Sequence, residues 1–455
     1  WVPKVAKVVK ILIKHADDIL SETINLYESE PNVHLDENIR VHFLKIKQQE
    51  SDKKTNFYQD FILVNMTRNP HLDLFGLMKD SFRKTPMQSP MTLPTVSPDV
   101  FFENVTTLTL AHYFSGDEQY SRWAANLIRS FILSSYAIGE QDNVDIDVPS
   151  YTIDNETINN EGYSFPYLNK IPRMILKFLN VGASFSKDLS NIDPSVFLDA
   201  CRLLYRAHVL THKEYMNLRN FASDWLESLI NSPQNLKIGR QSNHRGTMFD
   251  LQVISLSGFV DDIRLYLRVA NRIRMRIGKQ FNISLDASTP KISQSHEIMY
   301  VQDLVDTNET KSTDYDEDIF RYTTLNLQYW LRLVRIIQNG HCGSDIWQYK
   351  TKDGQKLSKA VIEHFKHYKD RMHDGAIINL AYMAKSALDA SEIKGFTCQT
   401  QDEYDYSKYF KKIDEITNKI ILDGETNEKE LNTIIGIGDE ARRRDIPPFW
   451  MFGVA

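Results

Sequence analysis

The sequence predicts an all-α protein built from helical hairpins, on three observations. Apolar residues recur at helical spacing in one segment after another. No glycine-rich phosphate loop occurs, and no strands alternate with helices, which argues against a Rossmann fold or a TIM barrel. No break in composition divides the 455 residues, so one large domain over 1–455 is expected. Long amphipathic helices pack as hairpins, and a ring of hairpins leaves a central groove.

The elements follow in chain order. "VAKVVKILIKHADDILSETINLY" places Val5, Val8, Leu12, Ile19 and Ile24 at near-helical spacing. "SPDVFFENVTTLTLAHYF" opens with Ser-Pro, a helix-start signal. After a Ser-Gly turn, "DEQYSRWAANLIRSFIL" keeps Tyr120, Trp123, Leu127 and Phe131 on one side. Asp193 stands as an N-cap and Pro194 at the first helical position of "DPSVFLDACRLLYRAHVL". Thr211 and Glu214 form a capping box ahead of "YMNLRNFASDWLESLIN". Further helices are expected at 258–279, 321–339, 357–369 and 374–390. In the first of these, Arg264, Arg268, Arg272 and Arg276 share a face. It reads as a solvated basic face beside an apolar stripe of Ile263, Leu267, Ala270, Ile273 and Ile277. The stretch "DLVDTNETKSTDYDED" carries seven carboxylates against Lys311 and is expected to be a surface loop.

Bulk numbers exclude several functions. A net charge of −6 is not that of a nucleic-acid binder. The three cysteines, Cys201, Cys342 and Cys398, cannot staple a scaffold. His364 and His367 are spaced to share a helix face, but no clear third metal ligand is visible. No metal or cofactor is therefore expected. No apolar run reaches the ~18–20 residues a membrane span needs. The sequons at Asn65, Asn104, Asn155, Asn282 and Asn308 permit secretion without establishing it.

The stretch most suggestive of chemistry is "QSNHRGTMFDLQ", 241–252, between two runs that read as buried helices. It sets an amide, an imidazole and a guanidinium side by side. One reading is a polar inter-helix turn with Asn243 as a cap; the other is a ligand-facing site. Three segments together resemble the alginate-lyase family. "HYFSGDEQYSRWAANLIRSFI" is similar to its helix-hairpin pattern. "WLESLINSPQNLKIGRQSNHRGTMFDLQ" is similar to its W-L … N-N-H-G-T-x-Y-D-x-Q signature, with Gly246, Thr247, Asp250 and Gln252 matching. "LDASTP" and "RYTTLNLQYWLRL" are similar to its D-G-x-x-P and H-Y-x-x-F-N-L.

This resemblance spans about residues 98–390. It implies an incomplete (α/α) toroid, and a secreted polysaccharide lyase that cleaves a uronic-acid polysaccharide by β-elimination without a metal. By the resemblance, Asn243 neutralises the uronate, His244 is base or neutraliser, and Tyr322 is acid, or acid and base both. Arg240 or Arg245 would hold a carboxylate, with Gln241 and Tyr300 also facing substrate. The sequence departs from the pattern in two places. "SNHRGT" aligns either on Asn-His, inserting Arg245, or on Gly-Thr, putting Arg245 in the histidine's place. The family's Arg-Thr-Arg ahead of the tyrosine is replaced by a longer segment, Pro290 to Tyr322. The rival reading is a non-catalytic relative that binds an acidic glycan or serves in assembly. The oligomeric state is not legible.

Overall fold

The computed structural model describes residues 2–28, 98–128, 132–133, 151–153, 156–158, 192–284, 291–306, 315–340, 346–393, 401–422, 436 and 441. Its helices are α1 (Val2–Glu28), α2 (Pro98–Ser115), α3 (Glu118–Ile128), α4 (Ser195–Arg206), α5 (His212–Asn231), α6 (Pro233–Gly239) and α7 (His244–Phe259). They continue as α8 (Ile263–Gln280), α9 (Ser295–Asp306), α10 (Tyr315–Asn339), α11 (Leu357–His367), α12 (Gly375–Ile393) and α13 (Gln401–Leu422). Two antiparallel hairpins complete the list: β1 (Tyr151–Ile153) with β2 (Glu156–Ile158), and β3 (Asn282–Ser284) with β4 (Lys291–Ser293). The architecture is all-α apart from these short ribbons.

The chain divides into two compact units. One comprises Trp1–Val8, Leu189–Leu198 and Trp225–Ala455; the other comprises Val9–Asp188 and Asp199–Asp224. In the second unit α2 and α3 form a hairpin through Gly116, whose φ of +74° suits a residue without a Cβ. Asp117 then accepts from the Gln119 N–H at 2.9 Å and starts α3. Tyr120, Trp123 and Leu127 are buried as their spacing requires; Phe131 lies outside the described residues. The Tyr120 hydroxyl donates to Asp17 at 2.7 Å. The capping box forms: the Thr211 N–H donates to Glu214 at 2.7 Å, and the Glu214 N–H to the Thr211 hydroxyl at 3.2 Å.

In the first unit the helices form the inner and outer layers of an (α/α) arrangement. The inner helices α7, α10 and α12 lie side by side. Nearly every residue of α7 is buried, which explains why "FDLQVISLSGF" shows no polar face. Outer helix α8 packs on α7, and α13 covers α11 and α12. Asp193 caps α4 as expected, accepting from the Ser195 N–H at 2.8 Å, and is also paired with Arg332 on α10.

Three expectations are corrected. The helix expected to start at 258 starts at Ile263, because Val260–Asp262 turn the chain. Asp261 adopts a φ of +62°, and the Asp262 side chain caps Leu265 at 3.0 Å. The buried face of α8 is rotated from the expected stripe. Tyr266, Val269, Ala270, Ile273 and Ile277 point inward, while Ile263 and Leu267 are exposed. The arginine face is correspondingly split: Arg264 and Arg268 are exposed, and Arg276 is buried. Finally, the acidic stretch is helical at both ends. Asp303 to Asp306 close α9, and Asp316, Glu317 and Asp318 sit in the first turn of α10. There the helix dipole favours negative charge. Residues 307–314 lie outside the described residues, as do Cys342 and Cys398; Cys201 is buried and unpaired.

His364 on α11 is structural. Its Nε2 lies 2.9 Å from the Thr324 hydroxyl, which gives its own proton to the Phe320 carbonyl at 2.7 Å and so accepts from the ring. Burial, reinforced by the charge of His367, drives its pKa from 6.5 down to about 3. A depressed folded pKa adds stability that is complete above the unfolded value and is lost as pH falls toward the folded one. Chemical denaturation at about pH 7 and at about pH 5 should therefore differ by about 2 kcal/mol from this residue. His364→Gln keeps a donor toward Thr324 and should remove that part of the pH dependence. Equal pH dependence in the two proteins would show that His364 is protonated or exposed in the fold. Among the described residues no group of three or more His, Cys, Asp or Glu is arranged to hold a metal.

Candidate active site

The site grows from the start of α7. Asn243 is extended, with φ −122° and ψ −174°, and its Oδ1 accepts from the Arg245 N–H at 3.2 Å. It is thus a cap, and the cap uses only the carbonyl oxygen, leaving the Nδ2 donors for other work. The turn ahead of it is clamped from α8. Arg276 donates from Nη2 to the Gly239 carbonyl at 2.7 Å, from Nη1 to the Gln241 carbonyl, and from Nε to Asp250 at 2.6 Å. Arg272 also pairs with Asp250, which is fully buried. Gly246 is required here, because a Cβ would strike the Gln241 carbonyl and the Arg276 guanidinium.

A buried amide network sets α7 against α8 and α10. Gln280 Nε2 donates to the Asn243 carbonyl at 3.1 Å, and Thr247 donates to Asn326 Oδ1 at 2.8 Å. Asn326 Nδ2 donates to Gln294 Oε1 at 2.7 Å, and Trp330 Nε1 to Gln280 Oε1 at 2.7 Å. Buried amides joined in this way hold their helices in one relative position.

His244, the first residue of α7, is enclosed on three sides. Its ring stacks on Tyr322 of α10 with centroids 4.7 Å apart and 20° between planes. Tyr300 of α9 meets it edge-on at 4.8 Å and 78°, and the two tyrosines lie 5.3 Å apart. Its Nδ1 is 2.7 Å from Glu297 Oε2. Glu297 is 1% exposed, and its other carboxylate oxygen has no hydrogen-bond partner. Burial pushes its pKa above the usual carboxylate range, opposed by His244 and by the charge of His296. Arg321 lies 5.6 Å from the Tyr322 ring centre, a cation beside the phenol.

Residues 168–373 match the family model of alginate lyase. That stretch is similar to the alginate-lyase family. It takes in the second and third of the resembling segments, but not the α2–α3 hairpin. An alginate lyase from Bacteroides ovatus, known from its crystal structure, aligns at 17% identity with a TM-score of 0.44, over 68% of this chain and 70% of that one. No curated protein matches the chain.

The alginate-lyase pattern left two registers open across "SNHRGT". In the fold it is the His244 ring that stacks on Tyr322, and Asn243 that caps the helix beneath it. The rings of His244, Tyr300 and Tyr322 are therefore set around one point, and Asn243 is the residue before His244. Gln241 and Arg245 are half-buried and Arg240 is exposed on the same turn. Gln241 Oε1 is buried without a partner, and among the described residues the side chains of Arg240 and Arg245 make no ion pair or hydrogen bond. "LDASTP" lies outside the described residues.

Glu297 was not anticipated from the sequence, although the signal was present. It stands three residues before Tyr300 in "SHEIMY", so a helix there puts both on one face. The segment that replaces the family's Arg-Thr-Arg thus supplies two of the groups around the imidazole.

Proposed function

We propose that this protein is a lyase that cleaves a uronic-acid polysaccharide by β-elimination, needs no added metal, and works outside the cell. The observation that carries the reading is the His244 ring held between Tyr322, Tyr300 and the Glu297 carboxylate at the helix start capped by Asn243.

In β-elimination a base removes the C5 proton, the electron pair forms the C4=C5 double bond, and the C4–O bond breaks. The leaving oxygen takes a proton from an acid. The substrate carboxylate must be neutralised, or its C5 proton is too weak an acid. Asn243 Nδ2 and the guanidinium of Arg245 or Arg240 are suited to that task. His244 is base or neutraliser. Tyr322 is the acid, its ring stacked on the His244 imidazole. Gln241 and Tyr300 line the subsite.

Incubation with alginate, glucuronan, pectate and glycosaminoglycans, each with chelator present, should yield unsaturated, ultraviolet-absorbing ends from at least one polymer. The altered "SNHRGT" and the missing Arg-Thr-Arg favour a second reading, a non-catalytic relative that binds an acidic glycan. Binding to one of these polymers by folded protein, with no unsaturated product, would establish that reading instead.

A further inference from the structure

We infer that Glu297 is a positioning residue that holds the His244 proton on Nδ1, keeping Nε2 bare as the proton acceptor and moving substrate neutralisation onto Asn243 and Arg245. The inference rests on the lyase reading for its kinetic consequences, but not for its chemical core.

Three observations carry it. Glu297 Oε2 lies 2.7 Å from His244 Nδ1, with both groups buried, so this nitrogen is unavailable to a substrate. An imidazole ring nitrogen bound to a carboxylate carries its proton there, and the opposite nitrogen is the basic one. The second observation is the cost of the arrangement. Glu297 Oε1 is buried with no partner, and a bare buried carboxylate oxygen is expensive to keep. A fold that merely needed a polar contact to His244 would be better served by a neutral amide. The third is charge. If His244 gains a proton, its new cation faces Glu297 at once and is already balanced. It therefore adds little attraction for a substrate carboxylate. Neither Arg240 nor Arg245 makes an ion pair among the described residues; Arg245, two residues from Asn243 on the same helix start and half-buried where Arg240 is exposed, is the better placed of the two for that role.

The family pattern has no counterpart to this carboxylate in the motifs quoted above. Glu297 comes from the segment between Pro290 and Tyr322 that is longer in this chain. His244 thus takes its orientation from a carboxylate on another helix, 53 residues along the chain.

The first test needs no substrate. In protein labelled with ¹⁵N at histidine, the neutral His244 ring should be protonated at Nδ1 and bare at Nε2. A ring protonated at Nε2 overturns the inference. Glu297→Gln can accept from Nδ1–H through its oxygen or donate to a bare Nδ1 through its amide. Both ring forms should then appear.

Kinetics on whichever polyuronate the wild type cleaves supply the second test. Glu297→Gln should lower kcat at least about tenfold with KM nearly unchanged, while thermal stability stays level or rises because a buried charge has gone. Stability and kcat falling together would mark Glu297 as structural and overturn the inference, as would an unchanged kcat. Arg245→Gln should raise KM more than it lowers kcat; a KM left at the wild-type value would remove Arg245 from the scheme. A wild type inactive on every polymer, yet protonated at Nδ1, would defeat the lyase reading while supporting the geometry argued here.

Discussion

Asp250→Ala is expected to cost about 3–5 kcal/mol of folding stability, the usual penalty for removing one partner of a buried ion pair. Asp250 is fully buried on α7 and faces two arginines of α8. Their fates differ when the carboxylate is lost. The Arg272 side chain is more than a third exposed and can turn to water. Arg276 is 7% exposed and keeps only the carbonyls of Gly239 and Gln241. Its charge is left in the interior without a counterion, and that is the source of the penalty. The loss should appear as a lower denaturant midpoint at unchanged slope. Replacing both sides by apolar residues, Asp250→Leu with Arg276→Met, should recover a good part of it, since no stranded charge remains. The same double change frees the Gly239–Gln241 turn from α8, so any lyase activity should fall even where stability returns. An Asp250→Ala protein as stable as the wild type would mean that the pair does not fix α7 on α8.

The helices that could be read from the sequence are those whose ends are written in local chemistry. Asp193, the Thr211–Glu214 box and Pro98 each start a helix by satisfying free N–H groups or presetting φ, and such signals lie within a few residues of the end they specify. The face a helix buries is a different matter. Ile263 and Leu267 are apolar, yet exposed. The turn at Asp261 and the grip of Asp250 on Arg276 rotate α8 so that a charged side chain points inward. That choice depends on a partner on another helix. The acidic stretch misled for a related reason. Its charge was weighed as a whole, although Asp316, Glu317 and Asp318 are stabilised one by one at a helix start. Around the imidazole, His244, Tyr300 and Tyr322 were legible as residues, and the fold brings their rings together. That His244, and not Arg245, stacks on Tyr322 was not, because Tyr322 lies far along the chain. Glu297 lies 53 residues from His244. A buried imidazole demands an acceptor for its N–H, but nothing local says which carboxylate will provide it.

His244→Ala is expected to lower lyase turnover at least about a hundredfold, roughly 2.7 kcal/mol in the barrier. Removing the imidazole takes away the base and leaves Glu297 buried with no partner at all, so stability should be measured alongside by circular dichroism and denaturant unfolding. The tyrosines allow a cleaner experiment. Tyr322→Phe keeps the ring that stacks on His244 and deletes only the hydroxyl. Packing is thereby preserved, and a loss of a hundredfold or more in kcat would isolate the phenolic proton. Tyr300→Phe keeps the edge-on contact at 4.8 Å in the same way. If Tyr322 is the acid, its variant should lose turnover while Tyr300→Phe changes mainly KM. Because both phenols border one imidazole, the reverse pattern has a plain meaning: full activity in Tyr322→Phe and loss in Tyr300→Phe would assign the proton to Tyr300. Loss in both, with the double variant no worse than either, would show that the two hydroxyls act as one unit. Wild-type turnover in a folded His244→Ala protein is the result that would take the imidazole out of the reaction, and the Glu297 argument with it.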